Sequence, residues 1–259
     1  MNILCIGDIV GKPGRKAVEE LLPKIKEEFK INFVVANAEN AAAGAGVTPR
    51  LAEELLCFGC DILTSGDHVW DKKELLESLQ DNPKLLRPAN FPEGTPGQGL
   101  CLTQTVNGQK IAIINLLGRV FIRYNVNCPF KALDQLVEQA RKHTNIIIVD
   151  MHAEATSEKI ALGHFADGKV SAVVGTHTHV QTADERILPK GTAYLTDLGM
   201  TGPFDSVIGQ NKEKIIQRFL TSMPSKFEVA EGDVALSGAV ITVDETGTAS
   251  QITRIQRRL

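Results

Sequence analysis

Apolar runs of strand length alternate with amphipathic runs of helical spacing along most of the chain. Residues 2–9 (NILCIGDI) read as a buried strand. Residues 15–29 (RKAVEELLPKIKEEF) set apolar side chains at helical spacing on a charged background. A strand follows at 33–39 (FVVANAE). The next helix, 48–59 (TPRLAEELLCFG), has Thr48 as N-cap and Pro49 at its first position. A strand over 61–66 (DILTSG) precedes a helix over 72–79. Strands 99–106 and 110–118 form a hairpin around the turn Asn107-Gly108. A helix opens at Pro129 and runs to 142, followed by a strand at 145–152 (NIIIVDMH), a helix at 157–165 and a strand at 170–177 (VSAVVGTH).

The last part of the chain changes character. TAYLTDLG, FEVAEG, DVALSGAVITVD and ASQITRIQ read as antiparallel strands, interrupted by one helix over 212–223. The stretch GMTGP (199–203) reads as a turn-rich loop over the pocket. Strand–helix alternation ending in β structure predicts an α/β fold of two packed sheets with helices outside. At 259 residues, with no internal repeat or low-complexity linker, the chain suits a single domain over 1–259.

Composition narrows the function classes. The chain is 43% hydrophobic and 23% charged, with a formal net charge of -3. That balance argues against an extended nucleic-acid surface, which needs clustered Lys and Arg. The basic end RIQRRL (254–259) reads as a solvated terminus. No apolar run reaches the ~20 residues of a membrane span, and MNILCIGDIV lacks a signal peptide's leader, so the expected location is cytoplasmic. Five scattered cysteines suit a reducing compartment. Cys57 and Cys60 form a C-x-x-C, but they end a helix and no second pair completes a zinc site, so helix-end packing is expected. AAAGAG (41–46) lacks the P-loop signature and Gly7, Gly11 and Gly14 lack the dinucleotide-binding spacing. The small residues of AAAGAG are expected to let the backbone pass close to a site.

That site is marked by polar residues at strand ends. Asp8 ends the first strand, Glu39 and Asn40 the second, and Asp67 and His68 follow the third. His152 ends a later strand, and His177 and His179 follow the next in GTHTH. Ligands bind at the carboxyl ends of the strands in open α/β sheets, so these groups are expected to converge on one sheet edge. In an extended GTHTH segment, i and i+2 point the same way, so His177 and His179 would face one site. His143 and His164 fall on helices outside the cluster. Carboxylates, an amide and imidazoles form a metal-ligand inventory. It is too large for one ion, whereas two ions about 3.5–4 Å apart can clamp the oxygens of a phosphoryl centre.

At this point the residues resemble the calcineurin-like metallophosphoesterases, and within them the bacterial YmdB-type phosphodiesterases. The matching segments are GDIVGKPGR, NAENAAAGAG, GDHVWD, DMHAEATSEK, GTHTHVQTADERILPKGTAYLTDLGMTGP and FEVAEGDVALSG, which span essentially the whole chain. The resemblance implies a four-layer α/β/β/α sandwich of two mixed sheets flanked by helices, with a dinuclear centre. It places Asp8, Asn40 and His179 around one metal, Asp67, His152 and His177 around the other, and Glu39 as the bridge. It makes His68 the catalytic group facing the scissile phosphate, with Asn40 and His68 contacting substrate and Asp71 a candidate to orient His68. Iron or manganese are the implied metals, with zinc or magnesium as alternatives. The expected assembly is a homo-oligomer, a dimer or tetramer. The wider superfamily carries D-x-H where Asp8-Ile9-Val10 stands and an Asp where Glu39 stands; the YmdB-type branch shares both departures.

One difference remains. The family motif G-N-H reads Gly66-Asp67-His68 here. A carboxylate in place of an amide lowers the formal charge of the core by one, which weakens the Lewis acidity and raises the pKa of bound water. It equally suits a more oxidised iron. The reading that follows is a metal-dependent phosphodiesterase acting on cyclic nucleotides, 2′,3′-cyclic and also 3′,5′-cyclic, by attack of a metal-bound hydroxide on phosphorus. Two others stand beside it: a regulatory metal- and nucleotide-binding protein with little turnover, and a phosphomonoesterase.

Overall fold

The computed structural model describes residues 1–80, 82–224 and 226–259. In chain order the elements are β1 (Asn2–Ile6), β2 (Asp8–Ile9), α1 (Gly11–Glu28), β3 (Phe33–Asn37), α2 (Pro49–Cys57), β4 (Ile62–Thr64), α3 (Lys73–Ser78), β5 (Leu100–Gln104) and β6 (Lys110–Leu117). They continue with α4 (Pro129–Arg141), β7 (Ile147–His152), α5 (Thr156–Ala166), β8 (Ala172–Thr176), β9 (Arg186–Ile187), β10 (Ala193–Leu195), β11 (Met200–Pro203), α6 (Lys212–Thr221), β12 (Val234–Val243) and β13 (Ala249–Arg258).

Two mixed sheets result. The first runs β2-β11-β12-β1-β3-β4, with β13 also paired to β12; the second runs β5-β6-β7-β8-β10-β9. β1, β3 and β4 are parallel, as are β6, β7, β8 and β10. Their strands are apolar on both faces because each sheet is covered on both sides. Three apolar cores separate four layers. Ile3, Val35 and Ile241 of the first sheet meet Ile113, Ile148 and Val174 of the second. α1 and α2 cover the outer face of the first sheet through Val18, Leu22, Ala52 and Leu55. α4 and α5 cover the second through Leu133, Val137 and Leu162. The architecture is the expected α/β/β/α sandwich.

Several local expectations change. Residues 2–9 are not one strand. At Gly7 the chain passes from β12 to β11: Gly7 N donates to Ser237 O and Asp8 N to Gly199 O. A Cβ at Gly7 would lie 1.8 Å from Gly199 O, so only glycine allows that switch. GMTGP is not a loop over the pocket. Met200–Pro203 is buried strand β11, parallel to β2 and antiparallel to β12. FEVAEG forms no strand; Val229 alone bridges to Gln210. The basic end is not solvated chain but part of β13, where Arg254 reaches Glu185 and Arg257 reaches Glu28. Thr48 caps α2 as expected, accepting from Leu51 N. Cys57 ends α2 exposed and Cys60 is buried; all five cysteines are free. His143 lies just past α4, not on it. Among the described residues, no helix is long and apolar enough to cross a membrane.

Candidate metal centre

The polar residues singled out by position lie where the carboxyl ends of both sheets meet, not on one edge. Asp8 is in β2, Glu39 and Asn40 follow β3, and Asp67 and His68 follow β4. His152 ends β7, while His177 and His179 follow β8. One ligand atom each from Glu39, Asp67, His152 and His177 lies within 4.8 Å of the others, a group that could hold a metal ion. His152 Nε2 is 3.1 Å from Glu39 Oε1, 3.4 Å from Asp67 Oδ1 and 3.0 Å from His177 Nδ1. Gly66 makes the gathering sterically feasible: a Cβ there would lie 2.1 Å from Glu39 Oε2 and 2.3 Å from His152 Nε2.

Each imidazole is fixed by a partner on its far nitrogen. His152 Nδ1 is 2.9 Å from Thr176 Oγ1, whose own hydroxyl donates to Asp150 Oδ1 at 2.7 Å. The hydroxyl proton is therefore spent on Asp150, so towards Thr176 it is His152 Nδ1 that donates, while the Asn37 amide lies 3.4 Å from the same nitrogen. His177 Nε2 faces Glu154 Oε2 at 3.2 Å. His179 Nδ1 faces the Ile208 carbonyl at 2.9 Å, which can only accept. In all three the other nitrogen turns to the centre, the pattern by which outer partners orient metal-binding histidines.

The centre holds more acceptors than protons. A hydrogen on His152 Nε2 cannot serve two carboxylates and His177 at once. Asp67 Oδ1 and Asp8 Oδ1 are buried with no hydrogen-bond partner. His179 Nε2 faces Asn40 Oδ1 at 3.2 Å, lone pair towards lone pair, because Asn40 Nδ2 donates to Gly44 O. Such groups are costly to bury without a counter-charge, which bound cations would supply. Carboxylate and imidazole donors without a thiolate suit a divalent first-row metal.

The titration behaviour expresses the same crowding. Burial, with Asp197 and Glu39 adding to it, pushes Asp8 up to about 6 against the pull of His179 and His152. Burial and the neighbouring His152 push His177 down to about 4. Burial opposes the charge on His152, but Glu39, Asp67 and Asp8 outweigh it and hold the imidazolium well above its ordinary range. Burial likewise opposes charge on Glu39 and Asp67, and contact with His152 outweighs it, leaving both below their ordinary values.

The two GTHTH histidines do not point the same way from an extended segment. His177 has φ +98° and His179 φ +64°, left-handed conformations that cost a non-glycine residue roughly 1–3 kcal/mol each. His177 faces Asp67 and His152, whereas His179 faces Asn40. The strain is held from beneath. Asp197 Oδ2 accepts from both Thr178 N and Thr178 Oγ1, and Oδ1 accepts from Gly199 N. Fully buried Lys159 donates to the same carboxylate at 2.6 Å. Thr178, between the strained histidines, is thereby pinned to a buried ion pair.

His68 stands apart from the acceptor group. Its Nδ1 is 2.7 Å from Asp71 Oδ2, and its backbone N donates to Glu39 Oε2 at 3.3 Å. Asp71 therefore orients it. Arg123 donates to Asp71 Oδ1 at 2.9 Å and to the Asp67 carbonyl at 2.8 Å, and its Nε lies 3.8 Å from Asp67 Oδ2. The positions 123, 150, 154, 159, 176 and 197 escaped sequence reasoning. Two carried a readable signal: Asp150 breaks an apolar run two residues before His152, on the same strand face, and Lys159 faces the core of a helix. Arg123, in the stretch between β6 and α4, gave none. AAAGAG does run close to the site, as its small residues led us to expect. Gly44, at φ +89°, receives the Asn40 amide, and a Cβ there would press on Gln210 and Val229.

The Lys159–Asp197 pair yields a direct expectation. Lys159→Met leaves a buried carboxylate without its cation, which should cost about 3–5 kcal/mol in chemical denaturation. In the fraction that stays folded, calorimetric titration should show weaker metal binding, because the histidine loop can relax. Unchanged metal affinity would separate the ion pair from the site.

Comparison with known proteins identifies the family of the chain. The model of the family described as YmdB-like protein matches residues 4–255. A Bacillus subtilis (strain 168) protein named 2′,3′-cyclic-nucleotide 2′-phosphodiesterase is 54% identical over 256 residues, covering 98% of this chain and 96% of that one. A crystal structure of a hypothetical protein from Thermus thermophilus superposes with a TM-score of 0.93 at 41% identity, covering 100% of this chain and 99% of that one. The crystal structure of a novel phosphatase from Mycoplasma pneumoniae also gives 0.93, at 37% identity, covering 100% and 93%. Matched from β1 to β13, with its acids and histidines gathered at the sheet ends, the chain belongs to the YmdB-like protein family.

Proposed function

We propose that this chain is a phosphodiesterase that opens 2′,3′-cyclic nucleotides with the help of two metal ions. The observation that carries this reading is the convergence of carboxylate, amide and imidazole acceptors that have too few protons to satisfy one another. The 54% identical relative named for this activity supports the substrate class. Asp8, Asn40 and His179 would hold one ion, Asp67, His152 and His177 the other, and Glu39 would bridge them. Iron or manganese is what the family resemblance implies, and the carboxylate and imidazole donors accept zinc or magnesium as well.

When bound, the metal supplies positive charge to the phosphate oxygens and lowers the pKa of a water. The protein's own groups do the remaining work. Asn40 has one amide hydrogen committed to Gly44 and a second free for a phosphate oxygen. His68 holds its Nδ1 proton against Asp71, which leaves Nε2 for the substrate. Water adds to phosphorus and loses a proton to solvent, the bond to ribose O2′ breaks, and His68, protonated at Nε2 as well, delivers that Nε2 proton to the departing oxygen. The products are a 2′-hydroxyl and a 3′-monoester. Arg123 fixes Asp71, and so His68, through a half-exposed guanidinium at the mouth of the site.

The direct test reconstitutes chelator-stripped protein with manganese or ferrous iron and follows 2′,3′-cyclic AMP by chromatography. Bound metal should approach two equivalents and the product should be the 3′-monophosphate; a parallel assay measures 3′,5′-cyclic AMP. Absence of turnover with every metal would overturn the reading and favour a nucleotide-binding regulator. His68→Ala should keep both metals yet lose roughly 10²–10⁴-fold in kcat on the cyclic nucleotide. Its loss should be smaller on bis-p-nitrophenyl phosphate, whose leaving group needs little protonation. A missing metal equivalent in that variant would make His68 a ligand instead. Asp67→Asn should weaken metal binding and move the ionisation controlling the rate to lower pH, since it returns one positive charge to the core. A pH–rate profile at saturating metal that matches the parent's would place Asp67 outside the metal shell.

A further inference from the structure

A cleft of about 1060 Å³ lies along loops that also build the metal centre, and none of the eight site residues lines it. Its walls are the start of α1 (Lys12, Arg15, Lys16), the loop after Asn40 (Ala42, Ala43), Lys72, and the irregular segment that includes Lys226, Phe227 and Glu231. The cleft and the candidate metal centre share structure. Ala42 and Ala43 belong to the loop that begins at Asn40, and Arg15 Nη1 holds that loop through Ala41 O at 2.6 Å. Lys72 directly follows Asp71, the partner of His68. Gly46 packs between them, where a Cβ would lie 2.9 Å from Lys72 Cγ and 3.4 Å from His68 O.

The charge of the cleft runs against that of the chain. The chain carries a formal -3, yet this lining is basic. Arg15 is neutralised by Glu54 at 2.8 Å, and Glu228 is neutralised by Lys214. Lys16 has one exposed contact, with Glu20 at 3.5 Å, of the weak surface kind. Among the described residues, Lys12, Lys72 and Lys226 take part in no ion pair. Four lysines therefore outnumber the two carboxyl groups left unpaired in the lining, those of Glu231 and Leu259. Phe227 stands in the same lining, 56% exposed. A basic groove with an exposed aromatic ring is how proteins hold single-stranded nucleic acid, with cations on phosphates and rings under bases. The volume lies at the upper end of the roughly 300–1,000 Å³ typical of ligand sites.

We propose that the cleft receives the last few nucleotides of an oligoribonucleotide whose terminal 2′,3′-cyclic phosphate sits at the metal centre. The preferred substrate is then a cyclic-ended RNA fragment, and a free cyclic mononucleotide fills only the inner part of the site. This deepens the phosphodiesterase reading and rests on it for the reaction, though not for the binding. The bond changes are the same: water adds to phosphorus, the terminal P–O2′ bond breaks, and the oligomer leaves with a 3′-monophosphate and a free 2′-hydroxyl. A cleft this short also accords with a chain that has no extended basic surface.

The test compares 2′,3′-cyclic AMP with oligoadenylates of two to five nucleotides bearing the same cyclic end, on metal-loaded protein at low and high salt. kcat/KM should rise about tenfold or more with the first added nucleotides, as stacking one base would give, then level off. The gain should shrink at high salt as phosphate contacts are screened. Lys12→Glu with Lys16→Glu, both exposed, should abolish the gain and leave the mononucleotide rate within about twofold; Phe227→Ser should reduce it. A rate independent of length, or variants that depress mononucleotide and oligomer alike, would overturn the proposal. Fluorescence anisotropy with a labelled pentamer keeps the two readings apart. Length-dependent binding that the double lysine variant loses would support the cleft even if no cyclic phosphate were hydrolysed, an outcome that would overturn only the catalytic reading. No binding of the pentamer, or displacement by tripolyphosphate as effective as by unlabelled pentamer, would overturn the cleft proposal itself.

Discussion

The Asp150 carboxylate holds the two sheets in register at the point where the candidate site is built. It is buried between them, and burial raises its pKa. From the first sheet, Thr64 and Asn37 donate to one of its oxygens at 2.5 and 3.2 Å; from the second, Thr176 donates to the other at 2.7 Å. A sheet-to-sheet contact made only of Ile, Val and Ala tolerates small slips, because apolar attraction has no direction. Hydrogen bonds to a buried carboxylate do not, since each lost donor leaves an unsatisfied charge in a poor solvent. The network ends on His152 through Thr176. The same contact that fixes the sheets therefore fixes the tautomer and aim of the imidazole at the centre of the cluster.

Above that network the structure accumulates unfavourable terms in a small volume. Acceptors face acceptors, two carboxylate oxygens lack partners, and two histidines take left-handed backbone conformations. None would persist in an ordinary loop. They persist here because the surroundings over-determine them: Gly66 yields the space a side chain would fill, and Lys159 and Asp197 clamp Thr178 from beneath. Such rigidity preserves the lone-pair geometry that a cation needs before any cation arrives, which is the meaning of a preorganised site.

The stretch TSGDHVWD joins the two kinds of chemistry at the centre. Asp67 belongs to the acceptor cluster, whereas His68 is directed away from it by Asp71. Arg123 touches both halves, through the Asp67 carbonyl and the Asp71 carboxylate. It also places a positive charge near the carboxylate that stands where the family motif has a neutral amide. The extra negative charge at position 67 is thus partly balanced from outside the acceptor cluster.

Much of the fold was legible in the sequence because its strands and helices have different apolar periods. Two packed sheets with helices outside, the hairpin of β5 and β6, and the cap at Thr48 follow from local pattern, whereas the order of the four layers was implied by the family resemblance. So does the placing of Asp8, Glu39, Asn40, Asp67, His68, His152, His177 and His179 at strand ends, since that depends only on where each apolar run stops. What escaped depends on contacts between distant segments. GMTGP becomes a strand because β2 and β12 offer it edges, and FEVAEG fails to become one although its own pattern would allow it. The directions of His177 and His179 are set by Asp197, Glu154 and Ile208, not by the alternation of an extended chain. Local pattern determined which groups this protein carries to the ends of its sheets. Only the tertiary structure decided which lone pairs meet and which protons are already spent, because that depends on hydrogen-bond partners distant in sequence.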